Sequence, residues 1–353
     1  MRSASELAHF CAAITPVDPA AQAAAQQRLD NLTKPQGSLG RLEELAAQVC
    51  AMRGAMAPPI TKKVILTFAG DHGVAAEGVS TFPQEVTVQM VHNFLAGGAG
   101  VNVLARHVGA EVRVIDVGVK EPMAADGLIQ RKVRQGTGNI AVGPAMSEAE
   151  ALAAINVGIE VARQAIADGA DILGTGEMGI ANTTPSAALY SLLLPATAAE
   201  VTGRGTGLDD ESLRKKILVV EKALAVNCDR CGTPLGALAA VGGLEIAAIC
   251  GVVLEAAKSR VPVVVDGFIS TAGALVAIKL CEHVRGYCLF SHMSAEQGHR
   301  MFFETMGFRP LLHLDMRLGE GTGAALSMSL VEAGLKILHE MATFGEAGVS
   351  EAQ

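Results

Sequence analysis

Two glycine-rich segments each carry a carboxylate where chemistry is plausible. The first, Gly174-Thr-Gly176-Glu177-Met-Gly-Ile-Ala-Asn182-Thr-Thr-Pro185, has glycines that let backbone N–H groups approach an anion closely. Thr184 followed by Pro185 predicts an N-cap and a first helical residue, and so a helix N-terminus with free donors. A phosphate or ribose hydroxyls would suit it, although a tight strand-to-helix turn is the plainer reading of a lone GxG. It is not a Walker loop, since no Gly-Lys-Ser/Thr follows, and its glycine spacing is wrong for a dinucleotide fingerprint. The second, Leu318-Gly-Glu320-Gly-Thr-Gly323, sets an acid among glycines just before the last predicted helix. An acid there is stabilised by the helix dipole whatever its function. Alternatively Glu320 is a general base on closely approached backbone, with room for a flat ligand beside it.

Other polar clusters are weaker. Asp71-His72-Gly73 follows a strand-like run and either meets a ligand or caps its turn. Val261 to Asp266 resembles the apolar strand ending in an acid that many diphosphate-type phosphoribosyltransferases use. Gly267 stands where those enzymes have a second acid, which weakens the case for a magnesium-dependent diphosphate donor. Lys215, Lys216 and Arg317 are candidates for a phosphate pocket or simply solvated charges. Cys228-Asp-Arg-Cys231 has no second pair and no suitably spaced His, so neither zinc nor redox chemistry is supported. His339-Glu-Met does not complete HExxH.

These residues need elements to position them. Apolar, β-branched runs at 64–68, 112–115, 171–173, 262–265, 287–290 and 311–314 each lead into a polar turn, mostly glycine-bearing. Helical patterns, for example at 151–167 and 235–257, fill the gaps. Strands alternating with helices predict right-handed crossovers and a Rossmann-like α/β fold with a mostly parallel sheet. In such a sheet the strand C-termini share one edge, and ligands bind outside it. The loaded turns therefore converge although they are far apart in sequence.

Residues 1–57 read as mostly helical, with helices at 20–31 and 39–52, Ser38 as N-cap of the second, and a break at Pro58-Pro59. The last helix is expected at about 324–341. Residues 1–60 plus 324–353 are expected to form a small helical subdomain beside a catalytic domain at 61–323.

Composition narrows the class. Of 353 residues half are apolar but only 3% aromatic, with no Trp, as expected for a parallel sheet buried under closely packed helices. The net charge of −8 opposes a general nucleic-acid binder. No 18-residue uncharged span occurs at 244–281, so no membrane helix is expected there. Seven scattered Cys and the lack of a targeting pattern at 1–21 predict free thiols in a reducing cytoplasm.

Taken together, the motifs resemble the nicotinate-nucleotide–dimethylbenzimidazole phosphoribosyltransferase family of the late cobalamin pathway. The matching pieces are Thr33-Lys-Pro-Gln-Gly-Ser-Leu-Gly-Arg-Leu-Glu43, Ala69-Gly-Asp-His-Gly-Val74, Ile115-Asp-Val-Gly118 and Gly138-Asn-Ile-Ala-Val-Gly-Pro-Ala-Met146. Gly176-Glu-Met-Gly-Ile-Ala-Asn-Thr-Thr-Pro185, Val241-Gly-Gly-Leu-Glu245, Asp266-Gly-Phe268, Ser291-His-Met-Ser294 and Met316-Arg-Leu-Gly-Glu-Gly-Thr-Gly-Ala-Ala325 continue the series. Each is weak alone, and the ordered set is specific.

The resemblance implies a reaction without metal or other cofactor. Nicotinate mononucleotide is the donor, dimethylbenzimidazole attacks its anomeric carbon, and nicotinate leaves with inversion. By position in the family pattern, Glu320 is the catalytic base. Gly176, Lys216, Ser294 and Arg317 hold the phosphate and sugar, and Glu177 stabilises the cation-like sugar carbon. Leu318, Phe82 and Gln89 line the base pocket. A homodimer is implied as well. Two alternatives stay open: the same chemistry on another lower-ligand base, adenine or a phenol, and a nucleotide-binding regulator without turnover.

Overall fold

The computed structural model describes residues 3–205 and 207–350. Six strands form one sheet: β1 (Lys63–Gly70), β2 (Ala110–Gly118), β3 (Leu128–Gln130), β4 (Ile172–Met178), β5 (Val263–Val265) and β6 (Cys288–Phe290). Their order is β3-β2-β1-β4-β5-β6, and every ladder is parallel. The expected Rossmann-like α/β class is what the chain adopts. Between β1 and β4 the strand order reverses, which opens a crevice outside their C-terminal ends. In the β1–β4 register Phe68 faces Glu177, so Glu177 sits at the edge of that crevice.

The strands are continuous apolar runs because both faces are covered; all eight residues of β1 are buried. The helix Leu244–Lys258 packs on β1, β2 and β4, while Thr322–Glu340 packs on β1, β4 and β5. Small residues allow tight layering. A Cβ on Gly158 of the helix Glu148–Ala167 would overlap the Ala248 carbonyl, and one on Gly251 would overlap that of Ile155. This close approach explains a large core with few aromatics.

Several local expectations are corrected. The run at 235–257 is two helices, Pro234–Val241 and Leu244–Lys258, broken at Gly242-Gly243. Consecutive glycines disfavour a continuous helix, and the break puts Glu245 in a first turn, where its Oε1 meets His72 Nε2 at 2.9 Å. The run at 311–314 is not a strand, for only a single bridge joins Leu312 to His292. Ser38 does not cap the second N-terminal helix, Arg41–Arg53. Gly40, at φ 51°, occupies the cap, and Glu43 accepts the Leu39 N–H at 2.8 Å instead. Thr184 is likewise inside its helix, Thr183–Leu193, with Asn182 as cap. β3 was not read, because its two apolar residues, Leu128 and Ile129, stand between polar and charged neighbours. All seven cysteines are free thiols, and among the described residues no helix is long and apolar enough to cross a membrane.

Candidate active site

A cavity of about 390 Å³ lies in the crevice at the strand C-termini. Glu177 lines it from the end of β4. Burial pushes the Glu177 carboxyl up to about 8, with Asp266, Glu245 and Glu320 adding repulsion and a hydrogen bond from Asn182 opposing it.

Glu320 lines the same cavity from the turn that precedes Thr322–Glu340. Gly319, Glu320 and Gly321 have φ of 80°, 65° and 107°. A left-handed glutamate is strained and persists only when its surroundings hold it. Here they do. Thr67 Oγ1 donates to the Glu320 carbonyl at 3.0 Å, and Thr322 Oγ1 donates to the Gly319 carbonyl at 2.8 Å. Asp266, at the end of β5, accepts the Gly321 and Ala324 N–H groups at 3.1 and 3.0 Å. Asp266 is thus a helix cap that pins the turn, and it is not among the cavity-lining residues.

The Glu320 side chain is buried, with Oε2 accepting the Val101 N–H at 3.0 Å. Val101 opens the helix Gly100–Val108, whose N-cap Ala99 offers no side-chain acceptor. Burial raises the Glu320 pKa, the Val101 N–H opposes this, and Asp266 adds to it. A side chain on Gly319 would collide with Glu177 Oε1, so this glycine lets the two glutamates lie side by side.

Two cations gather around the segment 203–205. Lys216 is fully buried, and its Nζ donates to Thr183 Oγ1 at 2.7 Å and to the Gly203 carbonyl at 3.2 Å. Burial pushes its ammonium down to about 8, against the pull of Glu296. Arg317, exposed, donates to the Gly205 carbonyl at 3.2 Å. Arg317, Ser294, Thr183 and Gly205 line the cavity; Lys216 stands behind Thr183. Gly176 lies beneath the Glu320 carbonyl, where a Cβ would overlap it, and does not itself line the space.

Part of the wall is apolar. Phe82 and Leu318, 51% and 60% exposed, contribute with Val86, Met90 and Ile180. Gln89 is exposed and not part of the lining; on the same helix, Val86–Leu95, the face spaced by four residues, Val86 and Met90, turns inward.

Of the residues singled out from sequence, the cavity brings together Glu320, Glu177, Ser294, Arg317, Leu318 and Phe82. Sequence reasoning passed over Asn182, Thr183, His292 and Glu296, although three of them stand inside the quoted motifs and Glu296 follows one. His72 and Glu245 form a buried pair, each unable to reach solvent. Among the described residues no group of three or more His, Cys, Asp or Glu is arranged to hold a metal ion.

A family model described as "Phosphoribosyltransferase" matches residues 14–349. The nicotinate-nucleotide–dimethylbenzimidazole phosphoribosyltransferase of Chlorobium chlorochromatii is 60% identical over 98% of both chains. Its counterpart in Geotalea uraniireducens is 60% identical over 97% of both. A crystal structure of the Thermus thermophilus enzyme of that name superposes with a TM-score of 0.89 at 49% identity, over 95% of this chain and all of the other. With a match of this extent in sequence and in fold, the chain belongs to the nicotinate-nucleotide–dimethylbenzimidazole phosphoribosyltransferase family, and is an enzyme of the pentosyltransferase class.

Proposed function

We propose that the chain transfers the phosphoribosyl group of nicotinate mononucleotide to 5,6-dimethylbenzimidazole. The products are α-ribazole 5′-phosphate, used for the lower ligand of cobalamin, and nicotinate. One ring nitrogen of the acceptor attacks the anomeric carbon as the bond to nicotinate breaks on the opposite face. The other ring nitrogen then gives its proton to Glu320. Such a positioned base contributes roughly 10²–10⁴-fold. Glu177, when ionised, faces the sugar carbon as it gains positive charge. Lys216, through Thr183, together with Ser294 and Arg317, holds the phosphate, and Gly176 keeps the backbone close beneath. Phe82 and Leu318 flank the acceptor ring.

The observation that carries this is that Glu320 and Glu177 line one cavity, Glu177 lying against Gly319, with Arg317 and apolar side chains in the same lining. Membership supports the choice of substrates, since the relatives carry those substrates in their names. A cytoplasmic homodimer is proposed on the same ground, to be checked by sedimentation and cell fractionation. The two chain ends are proposed to form one helical subdomain. Packing of Arg41–Arg53 against both Pro19–Asp30 and Thr322–Glu340 supports this, as does the bridge between Leu32 and Thr343.

The test is chromatography of products from purified protein, nicotinate mononucleotide and a base, without added metal. α-Ribazole phosphate from dimethylbenzimidazole is expected. Product only from adenine or a phenol would move the acceptor assignment, and donor binding without any product would make the chain a regulator.

A further inference from the structure

Glu296 is an acid in an unexpected place. It is the N-cap residue of the helix Gln297–Met306, where a carboxylate ordinarily accepts a first-turn amide, yet its side chain makes no capping bond. It lines the cavity instead, together with Ser294 and Arg317. Only 6% of Glu296 is exposed, and its Oε2 is buried without a hydrogen-bond partner among the described residues. The absence of a side chain at Gly203 makes the room, for a Cβ there would overlap Oε2. Lys216 and Arg317 both act on this carboxyl electrostatically. Burial pushes its pKa upward all the same.

A carboxylate in a phosphate subsite is a problem of charge. Lys216 and Arg317 together supply two positive charges, whereas a phosphate dianion plus Glu296 supplies three negative ones. Like charges that close in a buried site do not all stay ionised. A protonated Glu296 would both restore the balance and gain an O–H to donate to a phosphate oxygen.

On the basis of the transfer reaction proposed above, we infer that Glu296 is the proton-uptake residue of the donor phosphate subsite. It is a carboxylate facing Lys216 and Arg317 before the donor binds, and it takes one proton from solvent as the phosphate dianion arrives. The other titratable or charged groups around the two cavities that Glu296 borders are Glu177, Glu320, His292, Arg300, His313 and Asp315. His299, on the same helix, is buried and accepts the Ser294 N–H at 3.0 Å; burial holds its pKa well below the ordinary value, so it stays neutral.

The experiment is calorimetric titration of nicotinate mononucleotide into the whole protein between pH 7.5 and 8.5, where its phosphate is already a dianion, in buffers of differing ionisation heat. Lys216 titrates in the same range, so Lys216→Arg, which keeps its charge, serves as background. About one proton is expected to be taken up in Lys216→Arg, and close to none in Lys216→Arg/Glu296→Gln. The single variant Glu296→Gln is expected to bind the donor about tenfold more tightly than wild type at pH 8.5, and this decides the matter should the Arg exchange fail to fold. Nicotinate riboside, which lacks the phosphate, should show no Glu296-dependent uptake. Uptake unchanged by Glu296→Gln, or donor binding weakened by it at every pH, overturns the inference. Wild-type protein that neither binds the mononucleotide nor forms product overturns the transfer reaction itself, a separate result.

Discussion

The Glu320 carboxylate accepts the backbone N–H of Val101 at 3.0 Å, which sets the proposed base against the N-terminus of the helix Gly100–Val108. Two effects then oppose each other. The amide and the helix dipole favour the ionised form, while burial and the nearby Asp266 favour the protonated form and prevail. The base is therefore weakly held as an anion, as a group that must accept a proton should be.

A pH–rate profile reads that balance. The base acts ionised, so activity is lost as pH falls through its raised pKa. The acid limb of kcat/KM is expected above the ordinary glutamate value of about 4.3. Activity that persists unchanged below that value contradicts the placement of Glu320.

Asp266 holds the turn that carries Glu320, accepting the Gly321 and Ala324 N–H groups. Asp266→Asn replaces one acceptor by a donor that faces an N–H. The expected cost is about 1–3 kcal/mol in denaturant unfolding, with kcat reduced at least about tenfold and donor KM changed less. A variant with wild-type kcat would show that the turn keeps its shape without this acid.

Glu177 makes stability depend on pH. Its folded pKa, about 8, lies above that of the unfolded chain. The protonated form is thus favoured by folding below the unfolded value. As pH rises from the unfolded value to about 8, folding must increasingly take up a proton or bury a charge, so stability is lost across that window and levels off above it. Glu177→Gln, neutral throughout, is expected to exceed wild type by roughly 1–3 kcal/mol at pH 9 and to match it near pH 4. Equal melting curves at both pH values would show that this carboxyl is not penalised by burial.

Much of the fold was legible because each long strand is an apolar run ending in a polar turn. The parts that were not have physical reasons. β3, Leu128–Gln130, offers only two apolar residues between polar and charged neighbours, whereas the equally short β5 and β6 are apolar throughout. The Gly242-Gly243 break lies inside an otherwise helical apolar run; the glycines permit it, but its use, placing Glu245 against His72, joins residues 173 positions apart. At the site, the acids drew attention because flanking glycines leave room for a ligand close to the backbone. Gln89 misled since the helical register that turns Met90 inward depends on how the helix docks. Glu296 was passed over because it stands just outside the Ser291–Ser294 motif and no flanking glycine pair marks it. Lys216 stood out as a charge, but its depth behind Thr183 is a property of packing.

The proton-accepting role of Glu320 is tested most directly by single-turnover formation of α-ribazole phosphate in Glu320→Gln, with nicotinate mononucleotide binding measured on the same sample. The amide keeps an oxygen for the Val101 N–H and removes the base. Turnover is expected to fall at least about a hundredfold while donor affinity stays within about threefold of wild type. Turnover near the wild-type rate would contradict the account.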